Sequence, residues 1–247
     1  MSMQTTVPPA ARADALRKVY GTGGAAVEAL RGVSIEIAVT EWTAIMGPSG
    51  SGKSTLLHIL AGLDSPTEGK VFIGDVDLTT RNDKQLTQLR RDRVGFVFQA
   101  YNLIPTLTAE ENITLPLDIA GKAVDRGWFD TVVDTVGIRD RLRHRPTELS
   151  GGQQQRVAGA RALVSRPEII FADEPTGNLD SKSGAELLDF LRAAVDEHGQ
   201  TIVMVTHDAH AAAHADRVVF LADGNIVHDL RTPTADAIFD QIKSLEG

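Results

Sequence analysis

The 247-residue sequence predicts an α/β fold with a mostly parallel sheet and a helical subdomain insert. Three observations carry this expectation. A glycine-rich stretch, residues 47–52, joins an apolar strand pattern to an apolar helix pattern. The runs Ile169, Ile170, Phe171 and Ile202, Val203, Met204, Val205 are unbroken, as parallel strands covered on both faces require. Between residues 100 and 165 the strand pattern disappears, so residues 1–99 and 166–247 are expected to form one core around a helical insert at 100–165, a single domain over 1–247.

Each element has its own signal. In residues 33–39, Val33, Ile35 and Ile37 alternate with Ser34 and Glu36, which reads as a half-buried strand. Residues 42–46 are a second short strand running directly into the glycines. Over 53–61 the apolar positions Leu56, Leu57, Ile59 and Leu60 make a helix, and Gly62 stands where it should stop. Residues 71–78 suggest a hairpin and 94–98 a later strand. Inside the insert, Thr108 with Glu111 forms a capping box for one helix, and Ser150 can cap another. After Pro167 the pattern runs strand 168–172, helix 183–198, strand 201–206, then a hairpin over 218–228 around the Asp223–Gly224 turn. The first dozen residues read as a tail.

Composition narrows the function. The longest run of purely apolar residues is five, 218–222, against the roughly 20 that a membrane span needs. The N-terminus lacks the apolar stretch of a secretory signal, which places the chain on the cytoplasmic side. With no cysteine there is no disulfide framework, thiol catalyst or cysteine zinc site. The net charge of -8 argues against a nucleic-acid partner, whose phosphates require a basic footprint.

The chemistry starts at Gly47, Pro48, Ser49, Gly50, Ser51, Gly52, Lys53, Ser54 and Thr55, which match the phosphate-cradling pattern G-x-x-x-x-G-K-[ST]. Glycines let backbone N–H groups converge on phosphate oxygens, and the helix N-terminus adds partial positive charge. Lys53 supplies a point charge, and Ser54 stands where a Mg²⁺ ligand belongs. Asp173, at the end of a buried strand, fits the metal carboxylate. Glu174 follows and, by strand alternation, points the other way, where it can act as general base on a water attacking the γ-phosphate.

Leu149, Ser150, Gly151, Gly152 and Gln153, followed by Gln154, Gln155 and Arg156, resemble the signature of ATP-binding cassette (ABC) ATPases, a P-loop NTPase family. With residues 47–55, Asp173, Glu174 and His207 in the family's order, the resemblance covers nearly the whole chain. It implies an antiparallel β subdomain beside the parallel-sheet core, ATP and Mg²⁺ as cofactors, and a nucleotide sandwich in which Ser150 of one copy faces the γ-phosphate held by another. Gln99 matches the Q-loop glutamine that contacts metal and water, His207 the switch histidine, and Asp180, after Asn178 and Leu179, the D-loop that crosses the dimer interface. Tyr20 resembles the aromatic that stacks on adenine. Two positions depart from the pattern: Gly159 lies within the signature helix, and Thr40 stands where a turn glycine is usual.

Within the family, residues 47–53, 98–105 and 173–180 look most like the lipoprotein-release, macrolide-export and cell-division-associated group. The resemblance implies a separate transmembrane permease as partner, and membrane contact only through it, at the cytoplasmic face of the inner or plasma membrane. It places the docking surface at 99–111, with Tyr101, Leu103, Ile104 and Leu107 offering apolar surface beside Pro105. The competing class, a soluble ABC ATPase of DNA repair, chromosome organisation or translation, usually has a second cassette, a long coiled coil or zinc cysteines. None of these is in the sequence. A GTP switch lacks its Asn-Lys-x-Asp motif.

Overall fold

The computed structural model describes residues 8–246. Two sheets organise it. The first contains β1 (Ala11–Tyr20), β2 (Val27–Ile37), β4 (Glu68–Ile73) and β5 (Val76–Asp77) in the order β2-β1-β4-β5, and every pairing is antiparallel. The second contains β3 (Trp42–Met46), β6 (Val94–Phe98), β7 (Ile169–Asp173), β8 (Thr201–Val205), β9 (Arg217–Ala222) and β10 (Asn225–Arg231). Its order is β10-β9-β3-β8-β7-β6, parallel throughout except for the β9–β10 hairpin.

The helices are α1 (Lys53–Leu60), α2 (Asp83–Arg93), α3 (Ala109–Ala120), α4 (Arg126–Thr135), α5 (Gly151–Leu163), α6 (Ser181–His198), α7 (Ala209–Ala212) and α8 (Ala235–Glu246). Helix α1 lies between the sheets. Its Leu56, Leu57, Ile59 and Leu60 pack with Leu16, Leu30 and Ile35 on one side and with Ile45, Phe171 and Val203 on the other. Strand alternation sends Trp42, Ala44 and Met46 to the opposite face of the parallel sheet. There they join Ile113, Val157, Leu191 and Ile238 from α3, α5, α6 and α8. The strands of this sheet are thus buried on both faces, which explains their unbroken apolar runs.

The expected caps form. Thr108 and Glu111 make a reciprocal capping box on α3, and Ser150 with Gln153 makes one on α5. The expected tail needs correction: residues 1–7 lie outside the described residues, but Ala10 and Ala11 are buried and β1 begins at Ala11. Strand β2 also starts earlier than expected, at Val27. Both departures from the family pattern have a local cause. Thr40 takes the left-handed conformation that glycine usually supplies, φ 55°, with its N–H donating to Thr201 Oγ1 at 2.9 Å. At Gly159 a Cβ would stand 2.8 Å from Phe190 Cε1, so α5 and α6 pack too closely there for a side chain. Among the described residues no helix is long and apolar enough to cross a membrane.

Candidate functional site

The phosphate loop occupies the turn from β3 into α1. Two of its glycines are sterically required. A Cβ on Gly47 would stand 1.9 Å from Leu221 O, and one on Gly52 2.4 Å from Ala29 O, both at positive φ. The backbone therefore runs tightly against β9 and β2 at these two positions. The Lys53 ammonium donates to Gly47 O at 2.9 Å and Pro48 O at 2.8 Å. Among the described residues no carboxylate lies within ion-pair distance of it. Burial pushes its pKa below the ordinary lysine value, although the charges of Glu174 and Asp173 oppose the shift. Nearby Ser51 Oγ is buried without a hydrogen-bond partner. A desolvated cation and an orphaned hydroxyl in a glycine-rich turn at the N-terminus of α1 fit a polyphosphate.

The structure brings Ser54 and Asp173 together. Ser54 Oγ donates to Asp173 Oδ1 at 3.2 Å, and His58, one turn further along α1, brings Nε2 within 3.5 Å of Oδ2. Burial raises the Asp173 pKa, against the opposing effects of His58 and Ser54. A carboxylate desolvated this way, beside a hydroxyl, fits a hard divalent cation.

Glu174 is oriented for a different reason from the one expected. Strand β7 ends at Asp173, and Glu174 turns out of it at φ 45°, its N–H donating to Val205 O at 2.9 Å. A backbone turn, not strand alternation, aims the side chain. Glu174 Oε1 lies 3.3 Å from His207 Nδ1. His207 borders a cavity of about 200 Å³ that Gly47, Pro48 and Ser49 also line. Ile242 and Leu245 of α8 close it, two residues that no motif indicates.

The remaining motif residues lie elsewhere. The Gln99 side chain faces the Gly177–Asn178 turn: its Nε2 donates to Asn178 Oδ1 at 3.4 Å, and Asn178 Nδ2 donates to Gln99 O at 3.0 Å. It turns toward the D-loop rather than toward Asp173. Asp180 caps α6, accepting from Lys182 N and Ser183 N at 3.0 Å and from Ser183 Oγ at 2.8 Å, bonds that hold its carboxyl below the usual range. Ser150 caps α5 by accepting from Gln153 N at 3.3 Å. Gly151 and Gly152 allow close packing, since a Cβ would stand 2.8 Å from Tyr101 Oη and 2.5 Å from Ser183 Oγ respectively. Among the described residues no hydrogen bond joins Ser150, Gly151, Gly152 or Gln153 to the phosphate loop of the same chain. Tyr20 is exposed, and its hydroxyl donates to Asp64 Oδ2 at 2.7 Å.

The apolar surface expected at 99–111 is mostly half-buried. Of Tyr101, Leu103, Ile104 and Leu107 only Ile104 is exposed. Leu103 packs on the core, and Tyr101 lies under the start of α5. An apolar groove of about 400 Å³ opens instead between α2, β6, α3 and α5. Leu63, Phe96, Phe98, Leu115 and Ile119 line it, with Arg90, Arg91 and Arg161 among its polar residues.

The comparisons with known proteins agree with this architecture. The family described as ABC transporter matches residues 30–177. The chain is 46% identical over 213 residues to the lipoprotein-releasing system ATP-binding protein LolD of Legionella pneumophila, covering 85% of this chain and 94% of that one. It is 45% identical over 234 residues to the macrolide export ATP-binding/permease protein MacB of Brucella melitensis. That match covers 92% of this chain but only 36% of the MacB protein, so this chain spans about a third of that relative. Among solved structures, the cassette MJ0796, in a dimeric post-hydrolysis state bound to ADP and Pi, superposes with a TM-score of 0.81 at 41% identity. The superposition covers 91% of this chain and 99% of that one. The chain belongs to the ABC transporter family and is one of its ATPase cassettes.

Proposed function

We propose that this chain is the ATP-hydrolysing subunit of an ABC transporter of the lipoprotein-release or macrolide-export group, powering a separate permease through ATP-driven pairing of two copies. The observation that carries the reading is Lys53, a buried cation held by the carbonyl oxygens of Gly47 and Pro48, beside the Ser54–Asp173 and Glu174–His207 pairs.

In this reading the loop of Gly47 to Thr55, through its backbone N–H groups other than at Pro48 and through Lys53, holds the β- and γ-phosphates, and Tyr20 receives the base. Ser54 and Asp173 would hold Mg²⁺, which when bound neutralises phosphate charge. Glu174 takes a proton from water as the water oxygen attacks the γ-phosphorus. The bond to the β,γ-bridging oxygen breaks, leaving ADP and phosphate. His207, beside both Glu174 and the loop, steadies the γ-phosphate. Gln99, at the end of β6 and bonded to Asn178, would contact the metal and water, and it links the site to the turn before α6.

Ser150 does not touch its own loop, so a second copy supplies the signature, with Gly151, Gly152, Gln153 and the D-loop segment at Asp180 meeting across the interface. Residues 100–165 then act as the unit that carries the signature, and 1–99 with 166–247 as the core that holds nucleotide. The groove between α2, β6, α3 and α5 receives an apolar cytoplasmic helix of the permease, and this contact holds the chain at the cytoplasmic face of the membrane.

A mixing experiment tests the composite site. Lys53→Ala and Ser150→Arg copies are each inactive, but a mixed pair contains one site with Lys53 and Ser150 both intact. Turnover recovered on mixing is the expected result. Activity no greater than that of the separate variants sinks the two-copy reading.

A further inference from the structure

Asp64 belongs to none of the motifs, yet its carboxylate gathers three donors. Lys18 Nζ donates to Oδ1 at 2.6 Å, Tyr20 Oη to Oδ2 at 2.7 Å, and the Ser65 N–H to Oδ1 at 2.7 Å. Lys18 Nζ also donates to Ser65 O at 2.6 Å. Lys18 and Tyr20 are two residues apart on β1 and project to the same side of the strand. The Lys18 ammonium lies 4.7 Å from the centroid of the Tyr20 ring and covers one face of it. The frame behind this cluster is rigid: the Asp64 N–H donates to His58 O at 3.2 Å, which fastens the turn to the end of α1. The Tyr20 hydroxyl also lies beside that of Thr55, the last residue of the phosphate loop.

Burial follows the same division. The Lys18 side chain is only 12% exposed, whereas Tyr20 is 43% exposed. The ammonium is enclosed and the ring is offered to solvent. Burial alone pushes the Asp64 carboxyl up, but the bonds from Lys18 and Tyr20 outweigh it and hold the group below the usual carboxylate range, ionised at neutral pH.

We propose that Asp64 is the positioning residue of the base subsite, clamping Tyr20 and Lys18 so that only the ring face opposite Lys18 is presented to a flat, neutral heteroaromatic base. The inference rests on the reading of Tyr20 as the base platform. Ordering one free aromatic side chain on binding costs about 3- to 10-fold in affinity, and a ring already held by its hydroxyl avoids that loss.

Calorimetry on the full chain, comparing ATP with inorganic tripolyphosphate, separates base recognition from phosphate recognition. Asp64→Ala is expected to weaken ATP about 3- to 10-fold while tripolyphosphate affinity stays the same. Because that variant strands a buried Lys18, the Lys18→Met/Asp64→Ala pair provides a second test and should show the same ATP-specific loss. In a Tyr20→Ala background Asp64→Ala should add nothing. Equal losses for the two probes, or an additive loss in the Tyr20→Ala background, overturn the clamp. An unchanged ATP-to-tripolyphosphate ratio in Tyr20→Ala alone overturns the base platform and the clamp with it, leaving the phosphate site standing. Absence of binding of either probe by the unmodified chain overturns the nucleotide reading itself.

Discussion

Glu174→Gln isolates one atom's contribution to the proposed reaction. The amide has the size of the carboxylate, so the turn at φ 45° and the N–H bond to Val205 O are unaffected, and the side chain still reaches His207. What disappears is the acceptor for the proton of the attacking water. A positioned base contributes about 10² to 10⁴ in rate, so at about 1.36 kcal/mol per decade its loss raises the barrier by about 2.7 to 5.4 kcal/mol. The fold should barely register the change. The Glu174 side chain is 30% exposed and its partner His207 is 69% exposed, a setting in which substitutions stay within about 0.5 kcal/mol. Single-turnover hydrolysis of ATP measures the chemical step, equilibrium binding the nucleotide affinity, and size-exclusion chromatography in Mg-ATP the pairing. The expected result is retained binding, turnover lowered by at least two decades, and a stable pair of chains. Turnover within about threefold of the parent, against the 10² minimum expected for a lost base, removes Glu174 from that role.

His207→Ala should retain nucleotide binding and lose most turnover, and normal steady-state hydrolysis would leave His207 with a structural role only. Ile119→Asp places a charge in the proposed docking groove at a residue 67% exposed, so thermal stability should hold while co-purification with the permease falls; undiminished capture moves the docking surface elsewhere. Gly159→Ala sets two terms against each other. The new Cβ stands 2.8 Å from Phe190 Cε1, an overpacking of about 1 to 3 kcal/mol, while alanine improves the helix by about 0.5 to 1 kcal/mol. The melting temperature should therefore fall, and a rise would mean that the ring yields freely.

The elements legible in the sequence are those whose signals are local. The cap at Thr108 and the unbroken runs at 169–171 and 202–205 each depend on neighbouring residues. Strand β1 hid because its period is broken. Ala15 sits at φ 48° in a bulge, and the register with β2 shifts between Ala13 and Leu16 and again before Arg17 and Val19. Helix α2 buries only Leu89, so it has no apolar stripe to see, although its Asn82–Gln85 capping box was available as a signal. Helix α8 does carry a stripe, Ile238, Ile242 and Leu245 at helical spacing, which packs on the core.

The site divides along the same line. Spacing in the sequence identifies Gly47 to Thr55 because one turn and one helix start build the whole cradle. The groove could not be read this way, since Leu63, Phe96, Leu115 and Ile119 come from four separate segments that only tertiary packing brings together. Tyr101 and Leu103 looked like surface because they are apolar residues in a loop, but burial in a loop is decided by what packs over it, here α5 and the core. Motifs also name residues without naming their bonds. Asp180 and Gln99 stand where the family pattern puts them, yet in the single chain one caps α6 and the other pairs with Asn178. Any contact these residues make with nucleotide or with a second copy must therefore compete with bonds that already exist. In the proposed pair, that competition would give pairing a physical route to the rest of the chain, because drawing Gln99 from Asn178 would loosen the link between β6 and the turn before α6, next to α5, whose Gln155 bonds Phe98 O and Pro175 O.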